Sequence, residues 1–367
     1  MPLKTASDLL NKYRKGTCSQ EEKAMIENYL VFDGITENQL NDVELDTHLN
    51  ELKTRISKIP GKFKLWPYIA AAAAILLVLS AGILFYNAHP AGSSVQQLNA
   101  KTDIPAGKNM ATLTLADGKV INLSSNKTGV VVAANGITYN DGALAGRHPE
   151  LASGSHTSNN TMTLTAATPT GGTYQITLPD GTNVWLNAAS NIKFPQQFSG
   201  KTRRIILEGE GYFEVFKDPN HPFIIETASQ NVEVLGTHFN VNAYPDENKT
   251  ITTLLEGAIK TAGVILKPGE QAILRKGNVQ VLKVNTNIAT AWKNGEFMFS
   301  NESLESIMRK ISRWYNVEIS YQTPALKSEL FGGTISKFGN VSEVLQMLEL
   351  TGTVHFRIEG RRITIMK

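Results

Sequence analysis

The sequence predicts a multidomain protein. The expected parts are a small all-α segment, one transmembrane helix, a large all-β region of stacked hairpins (solenoid- or sandwich-like), and a C-terminal α+β unit of order β-α-β/β-α-β-β. Three observations predict this. A long uncharged stretch divides the chain near residue 75. Helical spacing of apolar residues comes before it. After it come short alternating runs broken by Asp-Gly turns, and then two amphipathic helical patterns near the end. The expected boundaries are 1–64, 65–86, a linker at 87–110, 111–290 and 291–367.

Residues 65–85, LWPYIAAAAAILLVLSAGILF, hold no charged side chain. As a helix they would span roughly 31 Å, about the thickness of a bilayer's hydrocarbon core. Trp66 and Tyr68 lie at one end, where amphipathic rings favour the headgroup level. Pro67 stands near the start, where a missing N–H costs a helix least. A buried helix of a soluble domain is the competing reading. A cleaved signal peptide fits poorly, because some sixty residues precede the stretch and no A-x-A site closes it.

The flanks set the orientation. Lys53, Arg55, Lys58, Lys62 and Lys64 precede the stretch, and the first Lys or Arg after it is Lys101. The basic flank belongs in the cytoplasm. The expected location is therefore the inner membrane, single-pass, with the N-terminus cytoplasmic and the C-terminus periplasmic. The only cysteine, Cys18, then falls on the inner side, so the outer part must be held by burial without disulfides. A net charge of +3 is too small and diffuse to argue for direct nucleic-acid binding.

Residues 1–64 are helical in pattern. SDLLNKYRKG closes at Gly16. In SQEEKAMIENYLV, Ser19 and Glu22 have capping-box spacing, and Met25, Ile26, Tyr29 and Leu30 recur on one face. Val43, Leu45, Leu49, Leu52 and Ile56 suggest another helix. A unit this small has a thin core, so its apolar faces are expected to be completed by a partner. A self-contained bundle is the alternative.

From residue 111 to about 285 the chain reads as β. Turn signals stand at Asp117-Gly118, Asp141-Gly142, Asp180-Gly181, Pro268-Gly269 and Gly277-Asn278. TLTLADGKVINL and YQITLPDGTNVWL look like two copies of one Asp-Gly hairpin. The last seventy residues change character. Leu304, Ile307, Met308, Ile311 and Trp314 share one helical face. Val341, Val344, Leu345 and Leu348 share another, with Asn340 and Glu343 at capping spacing and Gly352 at the stop.

Chemical motifs are few. The seven histidines have no metal-ligand spacing, and no cofactor is implied. Glu208, Glu210 and Glu214 sit at period-2 spacing with Tyr212 among them. They read as a solvated strand face more simply than as a catalytic carboxylate pair. Trp185, Phe194, Phe198, Tyr212, Phe213 and Phe216 suggest either a sugar-stacking platform or ordinary core. No catalytic residue and no metal site is assigned, and an enzyme is not expected.

The runs TPTGGTYQITLPDGTNVWLNAASNIKFP, RRIILEGEGYFEVFKDPNHPFIIET, VEVLGTHFNVNAYPD and LLEGAIK occur in that order and resemble the FecR family of membrane anti-sigma regulators. The C-terminal part resembles the domain that follows FecR domains in Bacteroidota, which is itself similar to the short N-terminal domain of secretins and TonB-dependent receptors. The resemblance implies a relay. The signalling domain of a TonB-dependent outer-membrane receptor contacts the periplasmic part, and residues 1–64 hold an extracytoplasmic-function sigma factor. The interface expected there is Met25, Ile26, Tyr29 and Leu30. A membrane-anchored periplasmic binding or assembly protein is the alternative. Some members of the family are cut at a Gly-Thr bond, which points to Gly236-Thr237. There the Thr237 hydroxyl would attack the Gly236 carbonyl in an N–O acyl shift. A simple bulge or bend at Gly236 is the other reading.

Overall fold

The computed structural model describes residues 103–133, 136–145 and 162–367. They lie within one compact unit, Ser94–Lys367. Its first part is built from two facing β layers. One layer runs, in hydrogen-bonded order, Val120–Asn122, Thr112–Thr114, Thr163–Thr168, Ser190–Pro195, the first half of Arg203–Glu214, Phe223–Glu226, Asn231–Val234, Ile259–Thr261 and Val264–Leu266. The other runs Gly136–Tyr139, Gly129–Ala133, Gly172–Thr177, Asn183–Leu186, the second half of Arg203–Glu214, His238–Ala243, Thr250–Glu256, Glu270–Arg275 and Asn278–Lys283. Successive hairpins are dealt alternately to the two layers. Strict alternation of buried and half-buried residues, as in Gly172–Thr177, sends every second side chain into the shared core. That core includes Leu113, Ile176, Leu186, Ile192, Phe213 and Phe239.

The two Asp-Gly hairpins have the same turn. Gly118 N–H donates to Leu115 O and Gly181 N–H to Leu178 O, at 3.0 and 2.9 Å. Asp117 accepts from Lys119 N–H, and Asp180 from Thr182 N–H. Asp180 also binds the buried Arg203 at 2.7 Å, so the second turn is tied to the longest strand.

That strand, Arg203–Glu214, belongs to both layers. Leu207 faces Ile192 in one, and Phe213 faces Phe239 in the other. The crossing falls at Gly209, whose φ is +97°. A Cβ there would lie 2.7 Å from Ser190 Cα, so only glycine lets the strand pass.

The C-terminal part begins after the short helix α1, Asn287–Thr290. Strand Glu296–Ser303 leads into helix α2, Leu304–Tyr315. Ser303 caps its start, and Asn316, with φ +52°, ends it. Strand Leu330–Ser336 leads into helix α3, Val341–Glu349, where the Glu343 carboxylate accepts the Asn340 N–H at 3.1 Å. The strands form two small sheets. Glu296–Ser303 pairs with Leu330–Ser336, and Arg362–Met366 lies between Glu318–Tyr321 and His355–Glu359. The buried faces of α2 and α3 meet in a second core with Phe297, Phe299 and Ile363.

These observations correct the expected fold class of a small all-α segment, a transmembrane helix, an all-β domain and an α+β unit. The described residues are mostly β-sheet with few helices, and no helix among them is long and apolar enough to cross a membrane. The physical reason is length and charge. Helix α2 has 12 residues, about 18 Å, and carries Arg309, Lys310 and Arg313. The expected helical segment 1–64 and the stretch 65–86 lie outside the described residues. A second correction concerns Glu210, which is 9% exposed and does not stand on a solvated face. The crossing at Gly209 turns the strand, and the C-terminal part covers it.

Candidate functional site

Gly236 and Thr237 occupy the passage between the layers, after Asn231–Val234 and before His238–Ala243. The φ of Gly236 is +150°, and a Cβ there would fall 2.7 Å from Lys217 Cα. Gly257 closes the other side. A Cβ on it would meet Thr237 Oγ1 at 2.9 Å and the Gly236 carbonyl at 3.0 Å. Two glycines thus leave the peptide bond flanked by backbone on both sides. Thr237 is 3% exposed, and its hydroxyl donates to Ala258 O at 3.2 Å. A carbonyl orients that hydroxyl but cannot take its proton. The strand register slips at His238/Phe239, so the passage is also a bulge. Met25, Ile26, Tyr29 and Leu30, the expected partner-binding face, lie outside the described residues.

The densest polar cluster lies elsewhere, at the junction between the β layers and the C-terminal part. Glu210 accepts from Asn187 Nδ2 at 2.8 Å and from Asn240 Nδ2 at 3.0 Å. Asn240 in turn accepts from Trp292 Nε1 at 3.1 Å. One hydrogen-bonded chain therefore runs from the middle of the sheet into the C-terminal part. Arg309 holds Glu247 through two N–H groups, and Arg313 reaches both Asp246 and Glu247. The Arg313 guanidinium also lies 3.7 Å from the centre of the Tyr244 ring.

Lys337 is buried at the same junction. Its ammonium donates to Trp292 O at 2.9 Å and sits 3.7 Å from the Trp314 ring centre. Burial pushes its pKa down to about 7, with Glu210 pulling the other way. Burial pushes the Tyr212 hydroxyl up to about 12.

Of the aromatic residues considered as a platform, Phe194 and Phe213 are core, and Phe216 is exposed on its own. Only Trp185 and Tyr212 come together, 5.6 Å between ring centres, with Lys293 over both. Sequence reasoning missed Trp292, Lys293, Lys337, Arg309 and Arg313. The signal available was the density of Trp and cations just after the last hairpin and on one turn of α2. Among the described residues, no group of three or more His, Cys, Asp or Glu could hold a metal ion. The junction is built as a latch: Trp292, Arg309 and Arg313 donate to Asn240, Glu247 and Asp246 on the β layers, and Gly171 N–H donates back to Arg313 O at 2.7 Å.

Residues 165–260 match the FecR protein family, and residues 296–365 match the FecR C-terminal family. Two crystal structures of a protein assigned as an anti-sigma factor from Parabacteroides distasonis ATCC 8503, at 1.65 and 2.50 Å resolution, share the fold. Each is 28% identical with a TM-score of 0.52. The first match covers 55% of this chain and 98% of that chain, and the second 56% and 99%. No curated protein matches. The class is a two-layer β domain latched to a small α+β domain. Residues 165–260 thus form a FecR domain and residues 296–365 a FecR C-terminal domain, and over these stretches the chain is similar to FecR-type anti-sigma regulators.

Proposed function

We propose that this regulator relays a periplasmic signal to a sigma factor. In this reading the stretch 65–86 holds it in the inner membrane, and residues 1–64 lie in the cytoplasm. They bind an extracytoplasmic-function sigma factor through Met25, Ile26, Tyr29 and Leu30. The C-terminal domain is contacted by the signalling domain of a TonB-dependent outer-membrane receptor. The protein is a binding relay with no substrate to turn over. Cleavage at Gly236-Thr237 belongs to the same proposal, as a way to sever the relay.

One observation supports the relay most. The chain that arrives from the linker is fastened first to the C-terminal domain. Ile104 is buried in that domain's core, and its carbonyl accepts the Val341 N–H at 2.9 Å. Asp103 accepts from both the backbone and the hydroxyl of Ser342 at the start of α3. Gly107 then passes under Trp314, and Lys108–Asn109 joins the β layers beside Gly172–Thr173. A partner that displaces α2 or α3 therefore pulls on the segment leading to residue 86.

The test is co-purification of residues 1–64 with candidate sigma factors of the same genome, using wild type and the Ile26→Asp/Leu30→Asp double variant. Binding by wild type and its loss in the folded double variant is the expected result, because an unpaired charge in an apolar contact is costly. Reporter fusions after residues 60 and 110 test the orientation. A periplasmic signal at residue 60 would reverse it.

A further inference from the structure

A cleft of ≈ 380 Å³ opens beside the junction. Its size lies in the lower part of the range for small-ligand sites, about 300–1,000 Å³. Its walls come from both domains and from the segment at Gly107–Asn109. Among the described residues that line it, three are lysines and none is acidic. Lys293 is already positioned, its ammonium 4.6 Å from the Trp185 ring centre and 4.8 Å from that of Tyr212. Lys337 is held by Trp292 O and Trp314. Aromatic faces and a carbonyl orient these two cations, and Glu210 also acts on Lys337.

The remaining walls are of two kinds. Trp292 is half-buried, and Phe338 is 71% exposed at the rim. The Phe338 ring lies over Gly295, where a Cβ would collide with it at 2.3 Å, so the glycine makes its place. Asn109, Gln175 and Thr173 supply amides and a hydroxyl.

We propose that this cleft is a binding site for an acidic saccharide, with Lys293 and Lys337 holding its carboxylate and Trp292 and Phe338 flanking a sugar ring. Each wall matches one part of such a ligand. The lysines take the carboxylate as charge-assisted hydrogen bonds. The rings take the apolar face of the sugar, and the amides take its hydroxyls. A small inorganic anion would leave the aromatic and amide walls unused. The charged groups lining the cavities around Lys337 are Glu210, Glu296, Lys108, Lys293, Lys310 and Arg313. A carboxylate bound beside Lys337 favours its protonated form. Binding therefore takes up a proton above pH 7 and weakens as pH rises from 7 to 9.

The full chain, purified in mild detergent, is titrated calorimetrically with oligogalacturonates, oligoguluronates and hyaluronan fragments, and with cellobiose and citrate as controls. At least one acidic saccharide should bind one-to-one, with both controls at least tenfold weaker. Phe338→Ala, at an exposed position, and Lys293→Met should each weaken binding tenfold or more, with thermal midpoints checked. The proposal is overturned if no acidic saccharide binds, if citrate or cellobiose binds as tightly as the best of them, or if Phe338→Ala binds like wild type.

Discussion

Arg309 grips Glu247 with Nε at 3.0 Å from one carboxylate oxygen and a terminal nitrogen at 2.8 Å from the other. The two residues are far apart in the chain, one on α2 and one in the turn after His238–Ala243. Arg313 shares the same carboxylate, which is 8% exposed. A paired grip of this kind fixes orientation as well as distance, so it holds α2 in one position against the β layers.

Glu247→Ala should therefore loosen the junction. It leaves two guanidinium groups facing a hole, although Arg313 keeps Asp246. Losing one partner of a buried pair costs about 3–5 kcal/mol. Arg309 is 29% exposed on its side chain, so water recovers part of that, and about 2 kcal/mol is expected. Denaturant unfolding followed by intrinsic tryptophan fluorescence checks it. Wild type should give one transition, and the variant should give two as the C-terminal domain unfolds first.

Gly107→Ala should free the incoming segment. A Cβ there would lie 2.5 Å from Gly171 O and 2.7 Å from the Trp314 ring, and neither can move without disturbing α2. The expected cost is about 1–3 kcal/mol, as for overpacking elsewhere. The local readout is limited proteolysis, with faster cutting between residues 100 and 110 while the β layers stay resistant. Unchanged cutting would mean that Trp314 does not clamp the segment.

Much of this fold was legible because its signals are local. Asp117-Gly118 and Asp180-Gly181 specify tight turns through the glycine's positive φ and the aspartate's acceptor. The apolar face of α2 is written at helical spacing within twelve residues. The errors lie where the decisive contact is remote. Period 2 put Glu208 and Glu210 on one face, but Gly209 crosses between layers, and Asn187, Asn240 and Trp292 then enclose Glu210. The same applies to the junction. Nothing near Lys337 announces that Trp292 and Trp314 will bury it. Of the FecR motifs, Gly236-Thr237 was found by resemblance, and only the fold reveals Gly257 against it.

Lys337 should make stability pH-dependent. Its pKa in the folded protein is about 7, below the ordinary lysine value near 10.5. The unfolded chain thus binds more protons between those two values, so stability rises with pH across that window. Below pH 7 both states are protonated and the penalty for burying the ammonium is present in full. Thermal midpoints at pH 6.5, 8 and 9.5 should increase in wild type. Lys337→Met should flatten that rise and raise the midpoint most at pH 6.5. A wild-type midpoint that does not change would place Lys337 in a more solvated setting.

The last prediction concerns the proposed cut at Gly236-Thr237. The passage holds its two sides separately. Asp218 N–H donates to Leu235 O at 2.9 Å, and Val215 N–H donates to Thr237 O at 3.0 Å. Asn231–Val234 pairs within one layer and His238–Ala243 within the other. A chain cut here should therefore stay assembled, running as one species on size exclusion and as two on a denaturing gel. The attacking group is the Thr237 hydroxyl, which must leave Ala258 O to reach the Gly236 carbonyl. The new C–O ester bond forms as the Gly236–Thr237 C–N bond breaks and the Thr237 amine takes the proton. Water then hydrolyses the ester to give a Gly236 carboxylate and a free Thr237 hydroxyl. Thr237→Ala should give one full-length band, and Thr237→Ser, which keeps a hydroxyl, should still be cut. Gly257→Ala makes a separate test. Its Cβ would press on both Thr237 Oγ1 and the Gly236 carbonyl, changing the cutting rate without removing the nucleophile. Intact mass spectrometry over days at 37 °C decides the matter. A wild-type chain that stays whole would show that the glycines serve only to bend the strand between layers.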